Sequence, residues 1–261
     1  FGSSHFALQQ RLSTYRWGAP AMGLLEELRK MYRGAVVDLA KVGSPVALWH
    51  FVWNGILNEW MKWFGHSDRL WNFMYSNLNY VKKMEDPSQQ QRYLELGDLM
   101  KKVARPNPAV LDVGCGIANA LQIWREHIKS YEGIDIAKAA IEAARSAFLP
   151  DGSVHPFKFE ATSFQDYVSE TTFDVIVFNE SLYYVKSVDG ALDMALKAWR
   201  LLPRGGVLLI SMSETHHAQK IWDALDQSLL QEPEIQRMSQ RAVAKEGNTW
   251  TVTAYVKKAA K

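Results

Sequence analysis

The sequence VLDVGCG at residues 110–116 places two glycines directly after a short apolar run. Glycines at a turn from a strand into a helix let the backbone approach a ligand closely, and the helix that follows directs its N–H groups towards that ligand. Dinucleotide-binding folds use G-x-G-x-x-G at the same place, but Asn119 occupies the third glycine position here. Asp112, two residues before the first glycine, favours instead a ligand whose positive group meets a carboxylate.

A second acid, Asp135, follows the next apolar run about twenty residues after Gly116. At the end of a second parallel strand, a carboxylate can accept hydrogen bonds from both hydroxyls of a ribose. The two acids together therefore predict a nucleoside-bearing ligand that also carries a positive group.

Candidate bases follow two later apolar runs. Glu214, His216 and His217 come after the run at 207–212, and ligands of parallel α/β sheets bind at the carboxyl ends of the strands. Histidine has the unperturbed pKa best suited to removing a proton near neutrality. The same residues can instead cap the next helix or lie on the surface, and no third residue is spaced to complete a metal site, so we expect no metal. Tyr183, after the run at 173–178, is a fourth candidate, although a phenol with a pKa near 10 is a weak base.

The elements that position these residues follow from the hydrophobic period, which changes at residue 109. We predict strands over 109–113, 131–136, 154–160, 173–178 and 207–212, with helices over 118–129, 137–148, 164–168, 188–202 and 218–230. This alternation predicts a doubly wound, mostly parallel sheet of the Rossmann-like class. Two further alternating runs, 235–243 and 249–256, predict an antiparallel hairpin at the C-terminal end, which makes seven strands.

The front of the chain predicts helices instead, over 22–42, 45–64, 69–77 and 88–103. We therefore divide the chain into a helical cap or lid (1–105) and a ligand-binding core (106–261). The stretch 45–64 is about as long as a membrane span, but His50, Glu59 and Lys62 argue against spanning. Most of the ten tryptophans lie in this cap. They either pack against the sheet, which we favour, or contact an anionic lipid surface.

The composition excludes several classes of protein. Hydrophobic residues make up 48% and charged residues 22%, as expected of a globular protein with a core. A formal net charge of +2 at pH 7 is too balanced to indicate a nucleic-acid partner, and we expect none. One cysteine, Cys115, cannot form an internal disulfide. The N-terminal residues do not resemble a secretory signal, so the expected location is cytoplasmic.

Taken together, these motifs resemble those of the class I S-adenosylmethionine-dependent methyltransferases. VLDVGCG is similar to the glycine-rich first motif of that family, and YEGIDIA is similar to its acid-bearing second motif. The segments FKFEATSF, FDVIVFNESLYYV and LLPRGGVLLISMS resemble the third, fourth and fifth motifs. The resemblance covers roughly residues 109–256 and implies S-adenosylmethionine as the cofactor.

The resemblance assigns roles to residues of the first two motifs. Gly114 and Gly116 would let the backbone pass the methionine part of the cofactor, with Asp112 near its ammonium. Asp135 would hold the ribose, and Ile136 would pack on the adenine.

The later motifs receive roles in the same way. Glu160 and Ala161 match the acid and backbone N–H pair that reads the adenine edge, although the family's usual acid is aspartate, and Phe164 would add a further face. Asn179 would contact the amino end of the cofactor. The segment YSNLNY (75–80) resembles a short N-L-G-Y lid sequence, in which Tyr80 would contact the ligands.

The expected activity is methyl transfer to an oxygen or nitrogen of a small, largely apolar molecule of the natural-product type. A carbon acceptor on an isoprenoid or lipid-like molecule is the first alternative, since tryptophans can stabilise a carbocation. The second alternative is a membrane- or partner-binding protein that keeps a cofactor-binding core without catalysis.

Overall fold

The structure is a computed structural model, and it describes residues 67–77, 81, 84–149, 156–185, 187–231, 235–243 and 249–258. The predicted helices over 22–42 and 45–64, and the candidate lid residue Tyr80, lie outside the described residues. Apart from Ser67, the described residues belong to one compact unit, Asp68–Lys261.

Helices and strands alternate through most of this unit. The helices are α1 (Ser67–Asn77), α2 (Pro87–Val103), α3 (Asn119–Trp124), α4 (Lys138–Phe148), α5 (Val188–Leu201) and α6 (His216–Leu229). The strands are β1 (Ala109–Val113), β2 (Ser130–Asp135), β3 (Phe157–Ala161), β4 (Val175–Asn179), β5 (Val207–Ser213), β6 (Ile235–Val243) and β7 (Thr249–Lys257). Short 3-10 turns cover Arg125–His127 and Leu182–Tyr184.

The strands form one seven-stranded sheet in the order β3-β2-β1-β4-β5-β7-β6. The first five strands are parallel to their neighbours, and β7 is antiparallel to both β5 and β6. This confirms the predicted Rossmann-like, mostly parallel sheet with a C-terminal antiparallel hairpin. The carboxyl ends of β1 to β5 therefore meet at one edge of the sheet, which is where such folds bind ligands.

Two local predictions were wrong. The segment 164–168, predicted as a helix, contains a turn at 164–166. The Ser163 hydroxyl donates to Asp166 Oδ2 at 2.6 Å and accepts from the Asp166 N–H at 3.1 Å, a local arrangement that competes with helix formation. The helix predicted over 118–129 is divided into α3 and the 3-10 turn Arg125–His127, because Ile128 is already extended.

The core lies on both faces of the sheet. One face of the strands packs against α2, α3 and α4, and the other packs against α5 and α6. Helix α2 contributes two fully buried leucines, Leu96 and Leu99, to the first face. The Trp124 indole N–H also donates to the Tyr93 carbonyl oxygen at 3.0 Å, which joins α3 to α2. Helix α2 is therefore part of the core of the unit.

The predicted division into a lid over 1–105 and a core over 106–261 stays a prediction. Helices α1 and α2 fall within the predicted lid, yet both belong to the unit that contains the sheet, apart from Ser67 at the first position of α1. Across the described segments, no helix is both long enough and apolar enough to cross a membrane.

Candidate functional site

The turn after β1 is held in a shape that glycine favours. Gly114 has φ 77° and Gly116 has φ 56°, both in the left-handed region that side chains disfavour. The N–H groups of Gly114 and Cys115 both donate to the Ile134 carbonyl oxygen, at 2.8 and 3.0 Å. A Cβ built on Gly114 would lie 2.5 Å from the Ser181 Cβ. The turn is therefore a cradle that any larger residue would distort.

Asp135, at the end of β2, fixes this turn. Its Oδ2 accepts from the Gly116 N–H at 2.9 Å, and its Oδ1 accepts from the Ala137 N–H at 2.8 Å. Burial raises the pKa of Asp135, and the two N–H donors oppose that shift. Each carboxylate oxygen can accept a second hydrogen bond, so the side chain still has capacity for two hydroxyls. The residue fits the ribose-binding role that the resemblance assigns to it.

Asp112 is a buried carboxylate with one oxygen that receives no hydrogen bond from the described residues. Its side chain is almost fully buried, with 1% of the residue exposed, and its Oδ2 accepts from the Tyr131 hydroxyl at 2.8 Å. Its Oδ1 is buried and has no hydrogen-bond partner among the described residues. A buried acceptor without a donor is costly, so its presence points to a ligand donor. The ammonium of S-adenosylmethionine is a donor of the required charge.

The residues predicted to contact adenine differ in how far they are buried. Ala161 is the β3 register partner of Asp135, and Ile136 is half-buried directly after β2. The Glu160 side chain is 43% exposed and lies 3.5 Å from the Lys158 ammonium. Phe164 is 3% exposed and packs edge-on against Phe178, with ring centroids 5.7 Å apart. Their contacts to adenine stay predictions.

A group of polar side chains around Glu180, called the polar centre below, lies at the end of β4. Asn179 accepts from the Ser211 hydroxyl at 3.0 Å. The next residue, Glu180, has φ 58°, a strained value for a residue with a side chain. Its Oε2 accepts from the Ser213 hydroxyl at 2.5 Å and from the Tyr183 hydroxyl at 2.8 Å. Its Oε1 is buried and has no hydrogen-bond partner among the described residues.

A buried arginine faces Glu180. The Arg92 side chain on α2 is 5% exposed, and its Nη1 lies 3.7 Å from Glu180 Oε2. The guanidinium donates to the Gln89 side chain at 3.0 Å and to the Tyr93 hydroxyl at 3.3 Å, and it lies 5.3 Å from the centre of the Trp250 ring. Sequence reasoning missed this pair. The available signal was a charged residue at helical spacing from Leu96 and Leu99, on the apolar face of α2.

Aromatic side chains adjoin this polar centre. Tyr183 and Tyr184 have ring centroids 4.5 Å apart, and Trp71 of α1 meets Tyr184 edge-on at 4.9 Å. Burial, followed by the negative charge of Glu180, raises the pKa of Tyr183, so its hydroxyl stays protonated and acts as a donor. A Cβ built on Gly116 would lie 2.6 Å from the Tyr75 hydroxyl oxygen, which places α1 over the glycine turn.

The four predicted bases are separated into two groups. Tyr183 lies beside Glu180, whereas Glu214, His216 and His217 are exposed at the beginning of α6. Glu214 accepts from the Thr249 hydroxyl at 3.1 Å. The hydroxyl of Thr215 caps α6 by accepting from the Ala218 N–H, so the histidines occupy the first turn of the helix. The catalytic roles of these residues stay predictions.

Comparisons with known proteins agree with this geometry. A family model described as a methyltransferase domain matches residues 88–251. A curated relative, mRNA cap guanine-N(7) methyltransferase 1 of Arabidopsis thaliana, is 28% identical over 134 residues. The match covers 45% of this chain and 36% of the relative, so the chain spans about a third of the length of that protein.

Solved structures share the fold. The N-methyltransferase NodS from Bradyrhizobium japonicum WM9, in complex with S-adenosyl-L-homocysteine, aligns with a TM-score of 0.60 and 15% identity, over 72% of this chain and 97% of that one. Magnesium protoporphyrin IX methyltransferase from Synechocystis PCC 6803, with bound S-adenosylmethionine, aligns with a TM-score of 0.53 and 15% identity, over 77% and 95%. With the family model covering most of the sheet and the glycine turn, the chain belongs to the methyltransferase domain family and is a member of the class I S-adenosylmethionine-dependent methyltransferases.

Proposed function

We propose that the chain transfers the methyl group of S-adenosylmethionine to an oxygen or nitrogen of a small, largely apolar molecule. The observation that carries the proposal is the contact between the glycine turn after β1 and the segment that follows β4. The β1 turn is packed against Ser181, and Asp112 Oδ1 has no hydrogen-bond partner in the part of the chain that the structure describes. The packed rings of Tyr183 and Tyr184 lie two and three residues after Ser181. In this proposal the β1 turn holds the cofactor, and the aromatic rings at the same edge of the sheet receive the acceptor.

The residues of the chain supply binding and alignment. When bound, S-adenosylmethionine supplies a methyl group on a positively charged sulfur, which is a good leaving group. Asp112 would accept from the ammonium, and Asp135 would accept from the ribose hydroxyls. Holding two reactants in line and away from water accounts for much of the rate of such a transfer.

The acceptor side supports an apolar molecule. Trp71, Tyr183 and Tyr184 present aromatic surface, and aromatic faces also favour a nearby positive charge such as a sulfonium. As part of the proposal we retain Glu214, His216 and His217 as candidates for the group that takes the proton of an alcohol acceptor, and Tyr183 as a catalytic candidate that contacts the acceptor through its ring and its hydroxyl donor.

A second candidate function is methylation of a guanine nucleotide. The observation that favours it is the match to a cap guanine-N(7) methyltransferase over 134 residues. The balanced net charge of +2 argues for a small acceptor over a long polyanion.

The experiment is a product survey with methyl-labelled S-adenosylmethionine and four acceptor classes: phenols and alcohols, amines, isoprenoids, and a capped RNA oligonucleotide. Mass spectrometry locates the methyl group in each product. We expect products from the first two classes, with methyl on oxygen or nitrogen. Methylation of the isoprenoid carbon or of the cap alone would overturn the proposal. Gly114→Val, which fills the cofactor cradle, is the control that separates enzymatic from spontaneous transfer.

A further inference from the structure

We propose that Glu180 binds the nitrogen of the acceptor, and that the acceptor is therefore a small, largely apolar amine. This inference rests on the proposed function and narrows it from oxygen or nitrogen to nitrogen. The fourth motif, FDVIVFNESLYYV, contains Glu180, but the resemblance assigned no role to it. The proposal stands on the geometry of its carboxylate and on the charges and rings around it.

The two oxygens of Glu180 have unequal surroundings. Oε2 receives the hydroxyls of Ser213 and Tyr183, at 2.5 and 2.8 Å, and faces Arg92 Nη1 at 3.7 Å. Oε1 is buried and receives no hydrogen bond from the described residues. A buried carboxylate oxygen needs donors, and this one is held in place by bonds to the other oxygen of the same group. An N–H or O–H of the acceptor would satisfy this oxygen.

The backbone also holds Glu180 towards that ligand. Its φ of 58° is one that residues with side chains rarely adopt, and the strain persists only where neighbouring structure enforces it. The Glu180 N–H donates to the Ser211 carbonyl oxygen at 3.1 Å, which fixes the residue to the end of β5. Strained residues of this kind cluster at binding and catalytic sites.

Charge selects an amine over an alcohol. Three carboxylates, of Asp112, Asp135 and Glu180, adjoin this edge of the sheet, and the buried cation Arg92 faces Glu180 and acts on Asp112. Arg92 Nη1, at 3.7 Å from Oε2, forms an ion pair beyond hydrogen-bond distance. A carboxylate that a cation offsets only in part is best satisfied by a cationic ligand.

The aromatic rings beside Glu180 also favour a positively charged acceptor. Tyr183 donates to the carboxylate, Tyr184 packs on Tyr183, and Trp71 packs edge-on against Tyr184. Aromatic faces around an anionic centre recognise alkylammonium groups, because the ring quadrupole attracts a cation while the ring surface contacts its apolar part.

Glu180 takes one proton from the acceptor before the methyl group is transferred. The acceptor binds as an ammonium and gives one proton to Oε1 of Glu180, which frees the lone pair on nitrogen. That lone pair bonds to the methyl carbon as the carbon–sulfur bond breaks and its electron pair stays on sulfur. The products are a methylated ammonium and S-adenosylhomocysteine, and the proton on Glu180 returns to solvent after they leave.

The test begins with turnover of a library of small aromatic and alicyclic amines and of their alcohol isosteres. The best amine is then titrated by calorimetry into protein saturated with S-adenosylhomocysteine, beside its alcohol isostere. The variants are Glu180→Gln, which keeps the shape and removes the charge, and Tyr183→Phe, which removes one bond to Oε2. Glu126→Gln, an exposed carboxylate elsewhere on the surface, is the matched control.

We expect Glu180→Gln to weaken amine binding about tenfold or more, as for a lost hydrogen bond to an ionised group. Tyr183→Phe should weaken it less, and Glu126→Gln should leave it unchanged. The affinity for S-adenosylhomocysteine should hold in all three variants, which also shows that they are folded.

Several results overturn the inference while the proposed function stands. These are methylation on oxygen alone, alcohol isosteres that bind as tightly as amines, or an unchanged amine affinity in Glu180→Gln. An equal loss of S-adenosylhomocysteine and amine affinity in that variant would assign Glu180 to the cofactor and overturn it too. Absence of transfer to every class would overturn the proposed function, and the inference with it.

Discussion

Tyr131 donates its hydroxyl to one oxygen of Asp112 at 2.8 Å and leaves the other oxygen of the same carboxylate buried without a partner among the described residues. Burial raises the pKa of Asp112 to about 7, and the neighbouring Asp135 adds to the shift, whereas the Tyr131 bond and Arg92 oppose it. The ligand-free protein therefore holds Asp112 partly protonated near neutral pH, and a cationic ligand favours the ionised form.

The first prediction concerns the cost of this arrangement. Because the folded pKa of Asp112 lies above its unfolded value, its contribution to stability is greatest below about pH 4 and is lost as the pH rises through about 7. A shift of this size corresponds to a loss on the order of 4 kcal/mol. We expect Asp112→Asn to remove that decline and to make the ligand-free protein more stable than the parent at pH 8, measured by urea unfolding at pH 5 and pH 8.

The same substitution should act in the opposite direction on the cofactor. Without a carboxylate to meet the ammonium, S-adenosylmethionine binding should weaken about tenfold or more by calorimetry. The exposed Asp98→Asn on α2 is the control and should change neither property. A variant that is both less stable at pH 8 and equally good at binding would contradict this account of Asp112.

The second prediction concerns Asp135. Asp135→Ala removes the acceptor of the ribose hydroxyls and of the Gly116 and Ala137 N–H groups, so it should weaken S-adenosylmethionine binding by about 1.5–3 kcal/mol. It should also lower the melting temperature, because two backbone donors lose their partner. Calorimetry and thermal unfolding measure the two effects. Unchanged affinity in a folded variant would remove Asp135 from the site.

The third prediction is a coupling between Gly116 and Tyr75. Gly116→Ala places a Cβ 2.6 Å from the Tyr75 hydroxyl oxygen, while the next Tyr75 atom is 3.7 Å away. Tyr75→Phe removes that oxygen, so the double variant should recover part of the stability that Gly116→Ala loses. The remaining loss, of about 1 kcal/mol, reflects the positive φ. Urea unfolding of the four proteins gives the coupling energy, and strict additivity would show that the two residues are not in contact.

The fourth prediction concerns α2. A chain beginning at residue 105 lacks the helix whose buried leucines cover one face of the sheet, so it should aggregate in size-exclusion chromatography. A chain beginning at residue 68 keeps α2 and the whole compact unit, and it should remain monodisperse. Monodisperse behaviour of the shorter chain would show that α2 is dispensable for the core.

The fifth prediction compares the candidate proton acceptors. Glu180 is half-buried and accepts from Tyr183, whereas His216 and His217 are exposed at the beginning of α6. We expect Glu180→Gln to reduce kcat/KM more than His216→Ala or His217→Ala, measured with the best acceptor at saturating cofactor. A larger loss in either histidine variant would favour the base predicted from the sequence.

Sequence reasoning predicted the sheet well because each strand is a short apolar run bounded by turn residues, and the alternation with helices determines parallel pairing. The family resemblance and its cofactor are likewise confirmed. The helix predicted over 164–168 is absent because Ser163 and Asp166 form hydrogen bonds with each other that compete with helix formation. Hydrophobic periodicity does not detect such local bonds.

The polar centre could not be predicted for a different reason. Arg92 and Glu180 are far apart in the sequence, and their pairing depends on how α2 packs against β5, β6 and β7. A buried charge looks like a surface charge until its neighbours are known. That Asp112 Oδ1 and Glu180 Oε1 are buried without a hydrogen-bond partner among the described residues becomes visible only in three dimensions.

The position of β7 determines when this site can exist. Among the described strands β7 comes last in the sequence, yet it lies inside the sheet between β5 and β6, paired with β5 from Val207 opposite Val256 to Ser213 opposite Trp250. During synthesis, one side of β5 therefore exposes unpaired backbone groups until residues 249–257 have left the ribosome. Trp250, whose ring lies 5.3 Å from the Arg92 guanidinium, arrives with the same strand. The nascent protein thus completes the pairing of β5 and the contact of Trp250 with Arg92 only after residues 249–257 have emerged, and until then it presents an open sheet edge for which chaperones can compete.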